Sequence, residues 1–176
     1  IEGFGPPRPA LGFHIPRMYD KVFNVEECHL QSDPSNAIRL AVKETALQEG
    51  IDFFDLRKQI GFLRSLTIRT ANTGEVMTIL QVAYERMEWI ECILDMLSMR
   101  FPQITSNNYI INGKRNDTFS DLDIVCWKGK SYITESMTRP ASESALQFRV
   151  GAKSFYQTNS DQAYELYRIA WEMAGL

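Results

Sequence analysis

The chain lacks any long apolar run, and it has few cysteines. No stretch approaches the roughly 20 consecutive apolar residues that a membrane-spanning helix needs, and the first residues lack the basic and apolar regions of a secretory signal. The three cysteines, Cys28, Cys92 and Cys126, are odd in number and widely spaced, which argues against a disulfide framework. These absences predict a cytoplasmic protein without a membrane partner.

Positive charge is also scarce for a protein that would bind nucleic acid on its own. Lysine and arginine number 19 against 22 aspartate and glutamate residues, which gives a formal net charge of −3. Clustered lysine and arginine side chains supply the phosphate contacts of nucleic-acid-binding domains, so any RNA contact here needs a local patch. Hydrophobic residues make up 44% of the 176 positions, enough for one substantial core.

Glycine and proline are concentrated at the start of the chain, and regular periodicity begins only after them. Residues 1–10 contain five of these residues and are predicted to be a linker or a cloning remnant. Between residues 21 and 111 the strand and helix signals follow the order β-α-β-β-α-β, as in the ferredoxin-like fold. Residues 11–150 are therefore predicted to form one α+β domain, with two helices on one face of a mainly antiparallel sheet.

Local signals support these elements. Asp33 followed by Pro34 predicts an N-cap with proline at the first helical position. Residues 63–70 alternate between apolar and polar side chains, and the turn 71–74 contains the residues that a positive φ requires, which predicts a hairpin. Five apolar residues at helical spacing predict a second helix over about residues 85–99.

The most specific motif lies near the end of the chain. Residues 155–159 have the pattern Phe-x-Gln-x-Asn, between a short polar turn and a helix with one apolar face. This arrangement resembles the entry to the catalytic domain of the RumA/TrmA family, RNA uridine C5-methyltransferases that use S-adenosylmethionine. The resemblance implies that Gln157 reaches the cofactor pocket, that Phe155 and Asn159 contact RNA, and that residues 151–176 are the truncated start of the methyltransferase domain. Asn159 is also expected to cap the helix.

A second segment carries the same resemblance. Residues 12–30 resemble a family segment whose cysteine, here Cys28, is the fourth ligand of a four-iron, four-sulfur cluster in the members that contain one. The other three ligands come from an upstream C-x5-C-x2-C run that this chain lacks. Because such a cluster needs four converging thiolates, Cys28 is predicted to be an orphaned ligand in this fragment. Without the resemblance, an inert structural cysteine is the favoured interpretation.

The predicted hairpin resembles the family's strand pair L-R-x-L-x-I-R and T-G-E-x-M. Arg64 and Arg69 fall on opposite faces of the first strand by its two-residue period, unless the strand is bulged. Arg69, on the polar face with Ser65 and Thr67, is the predicted phosphate contact. A solvated sheet face is the alternative.

The family's catalytic parts have no counterpart in the chain. Its glycine-rich cofactor turn, its cysteine after an Asp-Pro-Pro-Arg run and its later carboxylate base are all missing. Methylation at uridine C5 needs a thiolate that first adds at C6, so the fragment is predicted to be inactive and to hold no cofactor. The resemblance implies that the parent protein methylates 23S ribosomal RNA.

Two other functions fit shorter patterns. Asp121 and Asp123 resemble the magnesium-binding strand of nucleotidyltransferases, although a polar loop stands where that family has a helix-starting Gly-Ser. A non-catalytic RNA-binding module is the other alternative, but no strand has the aromatic signature of such modules.

Two helix faces are apolar without an obvious partner. Six residues share one face of the final helix: Ala163, Leu166, Tyr167, Ala170, Trp171 and Ala174. This face is predicted to pack on the methyltransferase sheet in the parent protein and to make the fragment self-associate. A second strip lies on the other helix: Trp89, Cys92, Met96 and Met99. Completion of the domain's own core is the alternative.

Overall fold

The computed structural model describes residues 8–139 and 144–175, within which three helices and eight strands occur. The helices are α1 (Ser35–Gln48), α2 (Met87–Arg100) and α3 (Ser160–Ala174). The strands are β1 (Gly12–Ile15), β2 (Met18–Asn24), β3 (Leu63–Thr70), β4 (Val76–Val82), β5 (Ile104–Ile111), β6 (Val125–Gly129), β7 (Tyr132–Thr138) and β8 (Ala145–Gly151). The predicted α+β class is confirmed. Most of the predicted linker, residues 1–7, lies outside the described ranges, and no described helix is long and apolar enough to cross a membrane.

Four strands form the central sheet in the order β3-β4-β5-β6. Strands β3 and β6 run antiparallel to their neighbours, whereas β4 and β5 are parallel and joined through α2. The predicted ferredoxin-like arrangement is not found. A split βαβ unit needs another strand between the parallel pair, but β4 and β5 bond directly to each other, and β2 pairs with β1 in a separate hairpin.

Strand β4 is buried along its whole length, because both faces of the central sheet are covered. On one face Leu80 belongs to a core built with α1 and α2. On the other face Met77 packs in a second cluster with Ile133 of β7 and Val150 of β8. The prediction that two helices cover one face is confirmed, and the hairpin β7–β8 covers the other.

Helix α1 begins one residue later than the sequence predicts. Pro34, expected at the first helical position, occupies the cap position, and no side-chain hydrogen bond caps the helix. The predicted Asp33 cap is therefore wrong. The carbonyl of Pro34 instead accepts the first helical hydrogen bond from the amide of Ile38 at 2.9 Å. The predicted core face is confirmed by three buried residues, Ile38, Ala41 and Val42.

A polar network lies inside the helix-facing core. The Thr78 hydroxyl donates to Asn107 Oδ1 at 2.7 Å, and Asn107 Nδ2 donates to the Leu94 carbonyl at 2.8 Å and to Ser98 Oγ at 3.0 Å. Both Thr78 and Asn107 are fully buried. One side chain thus ties β4, β5 and α2 together, and all of its polar atoms are paired.

Replacing Asn107 should destabilise the domain. Asn107→Ala leaves the Thr78 hydroxyl buried without an acceptor, so the free energy of unfolding should fall by about 2–3 kcal/mol in urea titrations. Thr78→Val keeps the shape but leaves Asn107 Oδ1 without its donor, and it should cost about 1–2 kcal/mol. A loss below about 0.5 kcal/mol for Asn107→Ala would show that this network does not contribute to stability.

Candidate functional site

The connection between β8 and α3 presents the Phe-x-Gln-x-Asn side chains in alternating directions. Phe155 is 85% exposed, and Gln157 is exposed as well. Tyr156, between them, packs inward against the cluster that contains Val150, with its ring centroid 6.0 Å from that of Phe148. The inward Tyr156 therefore leaves its two neighbours directed to solvent.

The two amide side chains of this segment differ in how far they are engaged. Asn159 Oδ1 accepts from the Gln162 amide at 3.0 Å, so the predicted N-cap of α3 is confirmed. Gln157 makes no side-chain hydrogen bond within the described residues, and its donor and acceptor edges are both available. The predicted contacts of these residues with RNA and cofactor remain predictions.

Arg69 lies close to this segment, although 82 or more residues separate it along the chain from the atoms that it binds. Its Nη1 donates to the carbonyl oxygens of Gly151 at 3.0 Å and Ser154 at 2.9 Å, and Ala152 lies at 3.4 Å. The sequence placed Arg69 on the polar face of β3 correctly. It did not indicate that backbone carbonyls of a distant turn cover that face. The predicted phosphate contact of Arg69 remains a prediction.

Sequence reasoning missed Glu135, which lies on β7 with only 6% of its surface exposed. Its Oε2 accepts from the Asn72 amide at 3.2 Å. Burial raises the pKa of Glu135, while the Asn72 amide and the Arg69 charge oppose that shift. Burial also raises the pKa of Tyr156, and the negative charge of Glu135 raises it further. Glu135 follows the buried Ile133 by two residues, and side chains at this spacing point to the same face of a strand. This spacing is the sequence signal that could have revealed the buried carboxylate.

Arg64 anchors a different loop. It lies where the register between β3 and β4 shifts. This irregularity is the bulge that the sequence pattern allowed as an exception to the two-residue period. Its side chain is 1% exposed and forms an ion pair with Asp117 at 2.8 Å. It also donates to the carbonyls of Asn112 at 2.9 Å and Lys114 at 2.5 Å. Arg64 and Arg69 therefore hold separate segments and do not form one patch.

The magnesium alternative is not supported by the positions of its carboxylates. Strand β6 begins at Val125, so Asp121 and Asp123 precede the strand, and the two-residue period does not align them. Asp121 pairs with Lys114 at 2.5 Å, and this hydrogen bond lowers the pKa of Asp121. No group of three or more His, Cys, Asp or Glu side chains within the described residues is arranged to hold a metal ion.

Cys28 is held firmly by its backbone. Its amide donates to Asn36 Oδ1 at 3.0 Å, and its carbonyl accepts from Asn36 Nδ2 at 3.1 Å. Arg39 donates to the same Asn36 oxygen at 2.7 Å. The Nε and Nη1 atoms of Arg39 are buried without a hydrogen-bond partner among the described residues. Burial lowers the pKa of Arg39, and the charge of Cys28 opposes that shift.

The final helix exposes most of its apolar side chains. Ala163 is the one buried residue of α3 in the described range. The exposed apolar side chains are Leu166, Tyr167, Ile169, Trp171 and Met173. The domain's own core therefore does not absorb this helix, and self-association through it remains a prediction.

A cleft of about 590 Å³ lies elsewhere, between the hairpin β1–β2, α1 and β3. Its lining includes apolar side chains such as Val42 and Leu66 and carboxylates such as Asp20 and Asp52. No residue that the sequence predicts for RNA, cofactor or metal lines it. The cleft and the Phe155 segment are separate features of the domain.

The chain is similar to bacterial proteins named as RNA methyltransferases, although no protein-family model matches it. An "uncharacterized RNA methyltransferase" of Porphyromonas gingivalis is 49% identical over 180 residues, which covers 100% of this chain and 37% of that protein. A protein of the same description from Bacteroides thetaiotaomicron is 49% identical over 170 residues, covering 95% of this chain and 36% of that protein. The chain thus spans little more than a third of the length of these relatives.

A solved structure has the same fold over most of the chain. It is the tRNA (uracil-54, C5)-methyltransferase of Pyrococcus abyssi in complex with S-adenosyl-L-homocysteine. The TM-score is 0.67 at 25% sequence identity, and the match covers 88% of this chain and 36% of that one.

Acid should weaken the attachment of β7 to the central sheet. Glu75 accepts from Lys130 Nζ at 2.6 Å and from the Thr134 amide at 2.8 Å, and the Lys130 bond holds the pKa of Glu75 below its usual range. A carboxyl whose pKa is depressed in the folded state stabilises the fold above its unfolded pKa of about 4.3, and loses that contribution as pH falls through its folded pKa. Glu75→Gln should therefore lower the melting temperature at pH 7 and have less effect at pH 3. Glu44→Gln, at an exposed pair, is the control and should change little; equal effects of Glu75→Gln at both pH values would contradict this assignment.

Proposed function

Because the chain belongs to the RumA/TrmA-like family of RNA uracil-C5-methyltransferases, we propose that it is part of a longer enzyme. That enzyme transfers a methyl group from S-adenosylmethionine to C5 of a uridine, and we propose 23S ribosomal RNA as its substrate. Residues 11–150 form the central domain in this proposal, and residues 151–176 begin the methyltransferase domain. The chain supplies architecture and one edge of the active site.

The exposed Phe155 and Gln157 are the observation that carries this proposal. They lie on a turn that is fixed at one end by Arg69 and at the other by the Asn159 cap. The names of the relatives support an RNA substrate. The S-adenosyl-L-homocysteine in the archaeal neighbour, which is the demethylated form of the donor, supports S-adenosylmethionine as the cofactor.

Each residue of the segment receives a role that suits its chemistry. The Phe155 ring offers an apolar face on which an unstacked base can stack. The free amide of Gln157 can bond to a uracil edge or to the methionyl part of the cofactor. Asn159 keeps its Nδ2 donor for RNA, since only Oδ1 is used in the cap. The thiolate that adds at C6 would come from residues outside this chain.

Cys28 fits one ligand position of a four-iron, four-sulfur cluster. Its backbone is fixed by Asn36, and Arg39 places two unpartnered nitrogen atoms of a buried cation in the same region, which suits a group with negative charge. The chain offers no further thiolate there, so the other three ligands would come from outside it. When bound, such a cluster would cross-link Cys28 to distant parts of the parent protein and stabilise its fold.

The chain alone should transfer no methyl group, since it lacks the nucleophile. In the longer protein, methyl transfer should produce 5-methyluridine in 23S ribosomal RNA, detected by mass spectrometry of digested nucleosides. Gln157→Ala there should lower kcat/KM by about 10- to 100-fold, which corresponds to the loss of roughly 1.4–2.7 kcal/mol of transition-state stabilisation. Gln147→Ala, at an exposed glutamine of β8, is the matched control and should retain activity. Turnover by the chain alone, or no transfer by the longer protein as for a non-catalytic RNA-binding module, would contradict the proposal.

The metal content should depend on Cys28 only in the longer protein. The chain alone should stay colourless and bind no iron after anaerobic reconstitution, because one thiolate cannot hold a cluster. In a longer protein with an upstream cysteine run, Cys28→Ser should remove the brown chromophore and lower the melting temperature. Cys92→Ser is the control and should keep both. An unchanged visible spectrum in Cys28→Ser would remove this residue from the ligand set.

A further inference from the structure

Arg69 reaches from the edge of the central sheet to the segment before α3. Strand β3 is the outermost strand beside β4. Nη1 of Arg69 lies 3.0 Å from the Gly151 oxygen, 2.9 Å from the Ser154 oxygen and 3.4 Å from the Ala152 oxygen. A guanidinium Nη carries two hydrogens, so three acceptors around it leave none for a further ligand. This nitrogen is fully used within the protein, whereas Nε and Nη2 make no hydrogen bond among the described residues.

The turn that Arg69 binds is also closed within itself. The Ser154 amide donates to the Gly151 carbonyl at 3.0 Å, and the Gly151 amide donates to Ser154 Oγ at 3.1 Å. Because the two closest acceptors of Arg69 belong to this turn, the guanidinium fixes the turn relative to β3. The direction of the backbone after Ser154 then decides which of the following side chains face the core.

Residues 155–158 depend on these anchors for their conformation. Within the described residues they make no hydrogen bond, whereas the turn before them and the Asn159 cap after them are both bonded. The Tyr156 ring, packed against Phe148, is their other attachment. If the chain left the turn one residue out of phase, Tyr156 would point outward and Phe155 inward, because successive side chains of an extended segment alternate.

Glu135 contributes to the electrostatics around the guanidinium. It is buried on β7, and its negative charge opposes the lowering of the Arg69 pKa that burial causes. The Asn72 amide holds its carboxylate at 3.2 Å. Arg69 and Glu135 therefore each favour the charged form of the other.

We propose that Arg69 is a positioning residue, which acts through the Gly151 and Ser154 carbonyls to direct Phe155 and Gln157 outward and does not itself bind RNA phosphates. The part of this inference that concerns RNA rests on the proposed function, since it takes Phe155 as a contact with the substrate. The part that concerns the conformation of the segment stands without it.

The conformational part is tested on the chain alone by NMR relaxation. In Arg69→Gln the amide order parameters of residues 155–158 should fall from the range of ordered backbone, about 0.85, to below about 0.6. Those of β4 should not change, which serves as the check on folding. Arg149→Gln, at an exposed arginine of β8, is the matched control and should leave the segment ordered. If Arg69→Gln does not fold, Arg69→Lys, which keeps the positive charge but lacks the planar fork, replaces it. Unchanged order in the segment of a folded variant would overturn the proposal.

The RNA part is tested by a double-mutant cycle with a short single-stranded RNA that contains uridine. Phe155→Ala should weaken binding about tenfold, as expected for the loss of one stacked base. Arg69→Gln should weaken binding similarly in the wild-type background and less than about twofold in the Phe155→Ala background, because it acts through Phe155. In Arg69→Gln, the slope of log affinity against log salt concentration should not change. The proposal would be overturned if the two substitutions multiplied their losses of affinity and the slope of log affinity against log salt concentration became shallower by about one. That result would identify a direct contact between Arg69 and a phosphate.

The two tests separate this inference from the function that it assumes. Absence of RNA binding by the wild-type chain would count against Phe155 as an RNA contact, and so against the proposed function and the RNA part of the inference. The order parameters would still decide whether Arg69 positions the segment.

Discussion

Strand β4 is buried on both faces, and the layers on either side of it follow from that constraint. A strand without solvent exposure needs apolar or fully paired side chains in both phases of its two-residue period. Helices α1 and α2 supply one cover, and the hairpin β7–β8 supplies the other. Because the second cover is also the base of the Phe155 segment, the core and the candidate site share the same structural elements.

Two arginine side chains hold the irregular backbone segments of this domain in place. Arg64 and Arg69 lie on the same strand, five residues apart, and each donates to carbonyl groups of a loop outside regular secondary structure. Buried backbone carbonyls need donors, and a long guanidinium can supply several from one direction. Two loops that are distant in sequence are thereby fixed to one strand, and each has a defined position without secondary structure of its own.

The parts of the fold that depend on local periodicity could be predicted from the sequence. The hairpin β3–β4, the core face of α1 and the cap of α3 by Asn159 follow from alternation, helical spacing and capping preferences. The direct pairing of β4 with β5 could not be predicted, because side-chain period does not encode which strand is the neighbour. The carbonyl ligands of Arg69 and the burial of Glu135 were missed for a related reason, since both depend on where β7 and β8 pack. The roles proposed for Phe155, Gln157 and Cys28 came from family resemblance, and no local pattern would have indicated them.

The shallow seating of α3 has a mechanical consequence. The helix is buried only at Ala163 in its first turn, within the described residues, and with 15 residues it extends about 22 Å at 1.5 Å per residue. It therefore behaves as a lever arm clamped at one end: a tilt of about 10° at Asn159 would displace its far end by roughly 4 Å over that length. Any contact that the far end of α3 makes is therefore sensitive to the angular stiffness of the short segment before Asn159, the segment that also holds Phe155.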